Sequence, residues 1–122
     1  MHMTLADCAK FAMAHLRGDS RNPKRETNLL NAASYDKLHT PAVDFAMNWF
    51  VSNHVWADVS GRDARVMTLS HLGIDRLDSW HCTILLVPER DFALLLATNQ
   101  GGIDATRGID ELGKVLVGKF SN

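Results

Sequence analysis

The sequence predicts an α+β fold in which an antiparallel sheet of about four strands is flanked by an N-terminal and a C-terminal helix. Three observations predict it. Apolar residues recur at helical spacing at both ends of the chain, the middle switches to a period of two or to short unbroken apolar runs, and turn-forming residues separate those runs. A chain of 122 residues is long enough for one modest core, so residues 1–122 are assigned to a single domain.

Thr4 is placed to cap a helix that begins at Leu5, with Asp7 three residues on in a capping-box arrangement. Leu5, Cys8, Ala9, Ala12, Met13 and Leu16 keep the helical period, and Gly18 marks its end. Residues 19–27 are polar and charged around Pro23, which predicts a surface loop and the most mobile segment of the chain. Asn31 caps a short helix over 32–38 that stops before Thr40-Pro41.

From residue 45 the period is two. Phe45, Met47, Trp49 and Val51 alternate with Ala46, Asn48 and Phe50, which predicts one strand with a single buried face. Residues 58–63, with Gly61, read as a turn, and 65–71 as a second strand closed by Gly73. Trp80, Cys82, Ile84 and Leu86 line one face of a third strand, and Pro88-Glu89-Arg90-Asp91 turns the chain into a fourth. That fourth strand, 92–98, is apolar without alternation, which predicts a place in the middle of a sheet with helices on both faces. After a loop at 99–102, Asp104 is placed to cap a final helix whose stripe is Ile109, Leu112, Leu116 and Phe120.

Composition narrows the function classes. Apolar residues make up 46% and charged residues 22%, the profile of a globular domain. The 13 basic and 14 acidic residues leave a net charge of −1 with no basic cluster, so neither nucleic acid nor an anionic membrane is an expected partner. The longest apolar stretches, 84–87 and 92–97, are too short to span a bilayer. No basic segment followed by an apolar run opens the chain, so no signal peptide is expected. Cys8 and Cys82 make no disulfide framework and sit at apolar positions, which predicts buried free thiols. His39, His54, His71 and His81 have neither an i, i+4 pair nor compact ligand spacing, so no zinc site and no other cofactor is expected. Asp58, Asp63 and Asp75 read as turn residues, and Trp49 and Trp80 as core.

In order, and over nearly the whole chain, these segments resemble the C-terminal portion of the β-lactamase-related serine hydrolases, the family of class C β-lactamases, D-alanyl-D-alanine peptidases and related esterases. The first helix, from Met3-Thr4-Leu5-Ala6-Asp7-Cys8-Ala9-Lys10-Phe11 to His15-Leu16-Arg17-Gly18, is similar to the helix that precedes that portion. Leu38-His39-Thr40-Pro41 is similar to its L-x-T-P helix ending, and Trp49-Phe50-Val51 resembles its G-W strand, with Ala46 and Asn48 where glycines are expected. Val87-Pro88-Glu89-Arg90-Asp91-Phe92 and Leu95-Leu96-Ala97-Thr98-Asn99 are similar to its P-E-R-D hairpin and the strand after it.

The resemblance implies chemistry at His71-Leu72-Gly73. Family members carry a Lys or His, a variable residue and a Gly on the strand beside the active site. The basic residue supports proton transfer and anchors a substrate carboxylate, and the Gly lets substrate lie along the strand. His71 is therefore the candidate catalytic residue and Gly73 the candidate substrate-binding one. Leu72 stands where a small polar residue is usual, and Ile74-Asp75 replace a customary Gly or Thr. The plainer reading of His71 is a strand-end histidine bonded to its neighbours.

The family's nucleophile is a Ser-x-x-Lys on a buried helix, well before the region matched here. The chain has one such spacing, Ser34-Tyr35-Asp36-Lys37, but it falls on the short surface helix before Thr40-Pro41 and after the first matched helix, which is the wrong order. The expectation is a portion of a serine hydrolase that supplies one wall of a substrate cleft without carrying the reaction. The alternative is a free-standing self-associating or small-ligand-binding module built on the same scaffold. In the family's sheet a strand from the N-terminal half pairs with the equivalent of 92–98. Without it that edge lies open, which predicts either a missing N-terminal half as its partner or a homodimer through the edge of 92–98 or the C-terminal helix.

Overall fold

The computed structural model describes residues 3–27, 29–54, 65–75 and 77–120. The elements are α1 (Leu5–Gly18), α2 (Ala32–His39), β1 (Phe45–Ala46), β2 (Trp49–His54), β3 (Val66–Ile74), β4 (His81–Val87), β5 (Phe92–Thr98) and α3 (Gly102–Phe120). The strands pair antiparallel in sequence order, β1-β2-β3-β4-β5, in one open sheet. The fold is α+β with an N-terminal and a C-terminal helix on an antiparallel sheet, as the periodicity predicts, with five strands where four were expected.

The fifth strand comes from a hairpin hidden in the first alternating run. Met47 and Asn48 both have positive φ, 47° and 93°, and Ala46 pairs directly with Trp49 across them. Two residues in that conformation make the tight turn whose twist suits a hairpin. The turn resets the alternation: Ala46 and Trp49 point inward, while Phe45 and Met47 are exposed. The expected single strand with Phe45 and Met47 on its buried face is corrected accordingly. The expected turn at 58–63, and Trp56, lie outside the described residues.

The sheet is covered on both faces. Ala12 and Leu16 of α1 pack on Trp49, Val51, Leu69, Ile84 and Leu86, with Ala93 and Leu95 beside them. On the other face Val117 of α3 packs with Val66, Leu85 and Val87, joined by Phe92 and Leu94. This arrangement corrects the position expected for β5, which is an edge strand and not a central one. Its unbroken apolar sequence answers to a helix above and a helix below, and needs no strand on either side.

α3 also differs in phase. It begins at Gly102, whose φ is +83°, two residues before Asp104, so Asp104 lies exposed in the first turn and is not the cap. Ala105, Gly113 and Val117 are its buried positions, with Ile109 and Leu116 half-buried, whereas Leu112 and Phe120 face outward. Steps of four from residue 105 to 117 follow the contact line with the twisted sheet more closely than the expected stripe does.

α1 is capped as predicted, the Thr4 side chain accepting from the Asp7 backbone N–H at 3.1 Å. Gly18 ends it for a reason that spacing does not show. A Cβ on Gly18 would lie 2.4 Å from the ring of Tyr35, which is itself buried on α2. Gly18→Ala should therefore destabilise the chain by about 1–3 kcal/mol, the usual cost of overpacking, despite alanine's better helix propensity. A urea midpoint at or above that of the parent would refute this.

Residues 19–27, expected to be the most mobile loop, are tied at several points. The Arg25 guanidinium donates to the Gly18 carbonyl at 3.0 Å and meets Asp36 at 2.7 Å, the Asn22 amide donates to Asp91 at 3.0 Å, and the Glu26 N–H donates to the Arg17 carbonyl at 2.7 Å. Polar residues signal surface loops only until they find partners.

Candidate functional site

His71 lies on β3 opposite Ile84, two residues before Gly73 and three before the strand ends at Ile74. Ser70 and Leu72 face α3, so the His71 ring goes to the α1 side, where it stands edge-on to Trp49 with centroids 6.3 Å apart. Its Nδ1 is 2.9 Å from the carbonyl oxygen of Asn48. An N–H at Nδ1 donates to that carbonyl, which leaves Nε2 as the basic atom. The ring is half-buried. Gly73 pairs with Cys82, and a Cβ there would come within 2.7 Å of the Cys82 sulfur, so the glycine also makes room within its own sheet.

Ser34 and Lys37 share α2, with Lys37 exposed and no hydrogen bond between them among the described residues. The buried side of α2 is instead formed by Tyr35 and His39. Of the two thiols expected to be buried, Cys8 is half-buried, and burial and then neighbouring Cys82 push it above the usual thiol range. Cys82, the second residue of β4, is exposed. Trp80 is likewise 60% exposed, since it precedes β4 and follows a turn in which Asp75 accepts from the N–H groups of Ser79 and Trp80.

The tertiary structure also assembles a polar cluster under α1 that no motif announces. Asp19, 1% exposed, grips the Arg21 guanidinium and lies 2.9 Å from Nδ1 of His39. Nε2 of His39 is in turn 2.9 Å from Nδ1 of His15. The chain Asp19–His39–His15 ends against the rings of Phe11 and Trp49, whose centroids are 4.5 and 5.1 Å from His15. Burial alone would raise the Asp19 carboxyl, but the bonds from Arg21 and His39 outweigh it and hold the group well below the usual carboxylate range. Burial, and then the proximity of His39, lower His15 to about 4. Separations of 20 and 24 residues between these groups carry no periodic signal, so the cluster is legible only in three dimensions.

The lowered His15 value has a pH consequence. Between its ordinary value of 6.5 and about 4 the unfolded chain binds a proton that the folded chain refuses, so stability is full above pH 6.5 and falls as the pH drops towards 4. A shift of this size is worth at most about 3 kcal/mol, and the partial exposure of the ring reduces it to about 1–2 kcal/mol. Thermal unfolding followed from pH 7 to 4.5 should show the decline in the parent chain and a flatter profile in His15→Asn, which keeps a donor to His39. Equal slopes would contradict the assignment.

A concavity of about 240 Å³ opens between α3 and the sheet and is lined by His54, His71, His81, Thr83, Ser70 and Gly113 among others. Among the described residues no group of three or more His, Cys, Asp or Glu is placed to hold a metal ion, and no helix is long and apolar enough to cross a membrane. Comparison of the chain with protein-family models, with curated proteins and with solved structures gives no match.

Proposed function

We propose that the chain is the sheet portion of a β-lactamase-like serine hydrolase fold, presenting the His71–Gly73 strand as one wall of a substrate cleft and performing no hydrolysis by itself. The observation that carries this reading is the state of His71. Its ring is oriented by the Asn48 carbonyl and Trp49, with Nε2 left basic, yet among the described residues no serine, threonine or cysteine is hydrogen-bonded to it. An oriented base without a nucleophile can anchor a carboxylate but has nothing to activate. The antiparallel run from β3 through the Pro88–Arg90 turn to β5, with α3 returning over the sheet, supports the same reading.

The open β5 edge is where we place the chain's macromolecular partner, the strands of an N-terminal half of the fold. An open strand edge presents free backbone donors and acceptors that invite pairing. A two-fold homodimer through that edge or through α3 is the second reading, favoured by the exposed Leu112, Val115 and Phe120 on α3, and its interface should exceed roughly 1,000 Å².

The purified chain should neither hydrolyse nitrocefin nor be labelled by a fluorescent penicillin or a fluorophosphonate. Acetate should shift the imidazole signals of His71 in NMR spectra with weak affinity. Stoichiometric labelling of Ser34, or a silent His71, would overturn the proposal. Sedimentation equilibrium separates the partners: a 13.6 kDa species removes the homodimer, whereas a species of twice that mass that dissociates in Ala97→Lys, a charge on the exposed β5 edge, supports it.

A further inference from the structure

We infer that the cavity between α3 and the sheet is a binding site for an uncharged ring compound bearing a hydroxyl or amide group, held by His81. His71 is among the residues that line the site, although its ring turns to Trp49, and the inference does not depend on the hydrolase reading.

The observation that demands a ligand is His81. Its side chain is buried, at 1% exposure, and neither Nδ1 nor Nε2 has a hydrogen-bond partner among the described residues. A neutral imidazole offers one donor and one acceptor, and burying both unmet is costly. Buried polar groups in folded proteins are almost always satisfied, so an unmet pair on a residue that borders a cavity marks where a partner belongs. The first position of β4 fixes this geometry: alternation along the strand turns His81, Thr83 and Leu85 towards α3.

The rest of the lining defines the partner's chemistry. Leu85, Leu94, Leu96 and Ile109 form apolar walls, and the hydroxyls of Thr83 and Ser70 add polar groups that can donate or accept. No lysine or arginine is among the described lining residues, and the acid Asp110 is paired with Lys114 at 2.6 Å. His54 and His71 line it as well, and burial lowers His54, which favours its neutral form. With no lysine or arginine and no unpaired carboxylate in the described lining, an uncharged ligand fits best. A cavity of roughly 150 Å³ accepts benzene, so about 240 Å³ takes one ring with a substituent, below the roughly 300–1,000 Å³ of drug-sized pockets. Gly113 sets the clearance. A Cβ there would meet the side chains of Leu94 and Leu96 at 3.9 Å, ordinary contact with no clash, and would narrow the cavity from the helix side.

Phenol, benzamide, toluene and benzoate are the probes, titrated into the full chain with His81 imidazole signals and the backbone amides of β4, β5 and α3 followed by NMR. Phenol and benzamide should bind saturably and shift the His81 ring, with toluene and benzoate weaker by at least about tenfold. Gly113→Ala should fold with an unchanged or raised Tm and lose about tenfold in phenol affinity. His81→Leu should bind toluene at least as well as phenol. The inference is overturned if phenol and benzamide at millimolar concentration leave His81 unmoved, which means that water alone meets its nitrogens. It is equally overturned if benzoate binds as tightly as phenol, or if Gly113→Ala folds and binds phenol as the parent does.

Discussion

Replacing Asp19 by alanine should destabilise the chain by about 3–5 kcal/mol, the range for removing one member of a buried charged network. The carboxylate is buried with Arg21 on one side and His39 on the other, and its loss leaves a half-buried guanidinium and a buried imidazole facing each other without the charge that organised them. Asp19→Asn keeps the volume and should fall between the two. Because Arg21 and His39 hold the carboxyl far below its ordinary value of 3.8, its contribution is complete above that value and is lost only as the pH falls through the lower folded value. The gap between parent and Asp19→Ala, measured by urea unfolding, should therefore stay constant from pH 7 to about 5 and close only in stronger acid. A gap below about 1 kcal/mol at pH 7 would place the cluster among solvated surface pairs.

Asp91→Ala should cost about 2–4 kcal/mol through two separable effects. The first is electrostatic. The carboxylate lies 2.6 Å from Arg17, 3.0 Å from Lys24 and accepts from the Asn22 amide at 3.0 Å, so the β4–β5 hairpin is fastened to α1 and the loop after it. Burial works against the charged form, but these three partners prevail and keep the carboxyl below its usual range. The second is conformational. Asp91 has φ 50°, left-handed, where Asp and Asn are tolerated and a Cβ without a polar group costs roughly 1–2 kcal/mol. Asp91→Gly loses the ion pairs but not the backbone fit, so it should be milder than Asp91→Ala by about 1 kcal/mol. Asp91→Asn should be the mildest. Equal unfolding midpoints for the Gly and Ala variants would remove the conformational part.

These two acids show why a motif and its physical role need not be visible together. Pro88-Glu89-Arg90-Asp91 is recognisable as a turn from its residue types, since proline fixes φ and aspartate accepts the left-handed region. That Asp91 also anchors α1 follows only from packing, because Arg17 lies 74 positions away in the chain. Gly18 is similar. Its place at a helix end is legible, but the reason, the Tyr35 ring resting where a Cβ would be, belongs to the α1–α2 contact. A motif singles out His71 and Gly73 as candidates, but their settings beside Asn48, Trp49 and Cys82 are not legible in it.

Features that depend on neighbours a few residues away are legible in the chain alone. The caps at Thr4 and Asn31, the extents of α1, α2 and β5 and the turn before β5 all follow from local hydrogen bonds, backbone preferences and periodicity. Which face of each element is covered, and by what, depends on packing. The Met47-Asn48 hairpin shifted the inward phase of the first strands, two helices rather than two strands made β5 apolar, and α3 settled on the stripe that meets a twisted sheet. The Asp19–His39–His15 chain and the unmet His81 have the same origin. A side chain's partner is set by the distance between folded elements, and that distance is a property of the packed whole, which no local window of sequence contains.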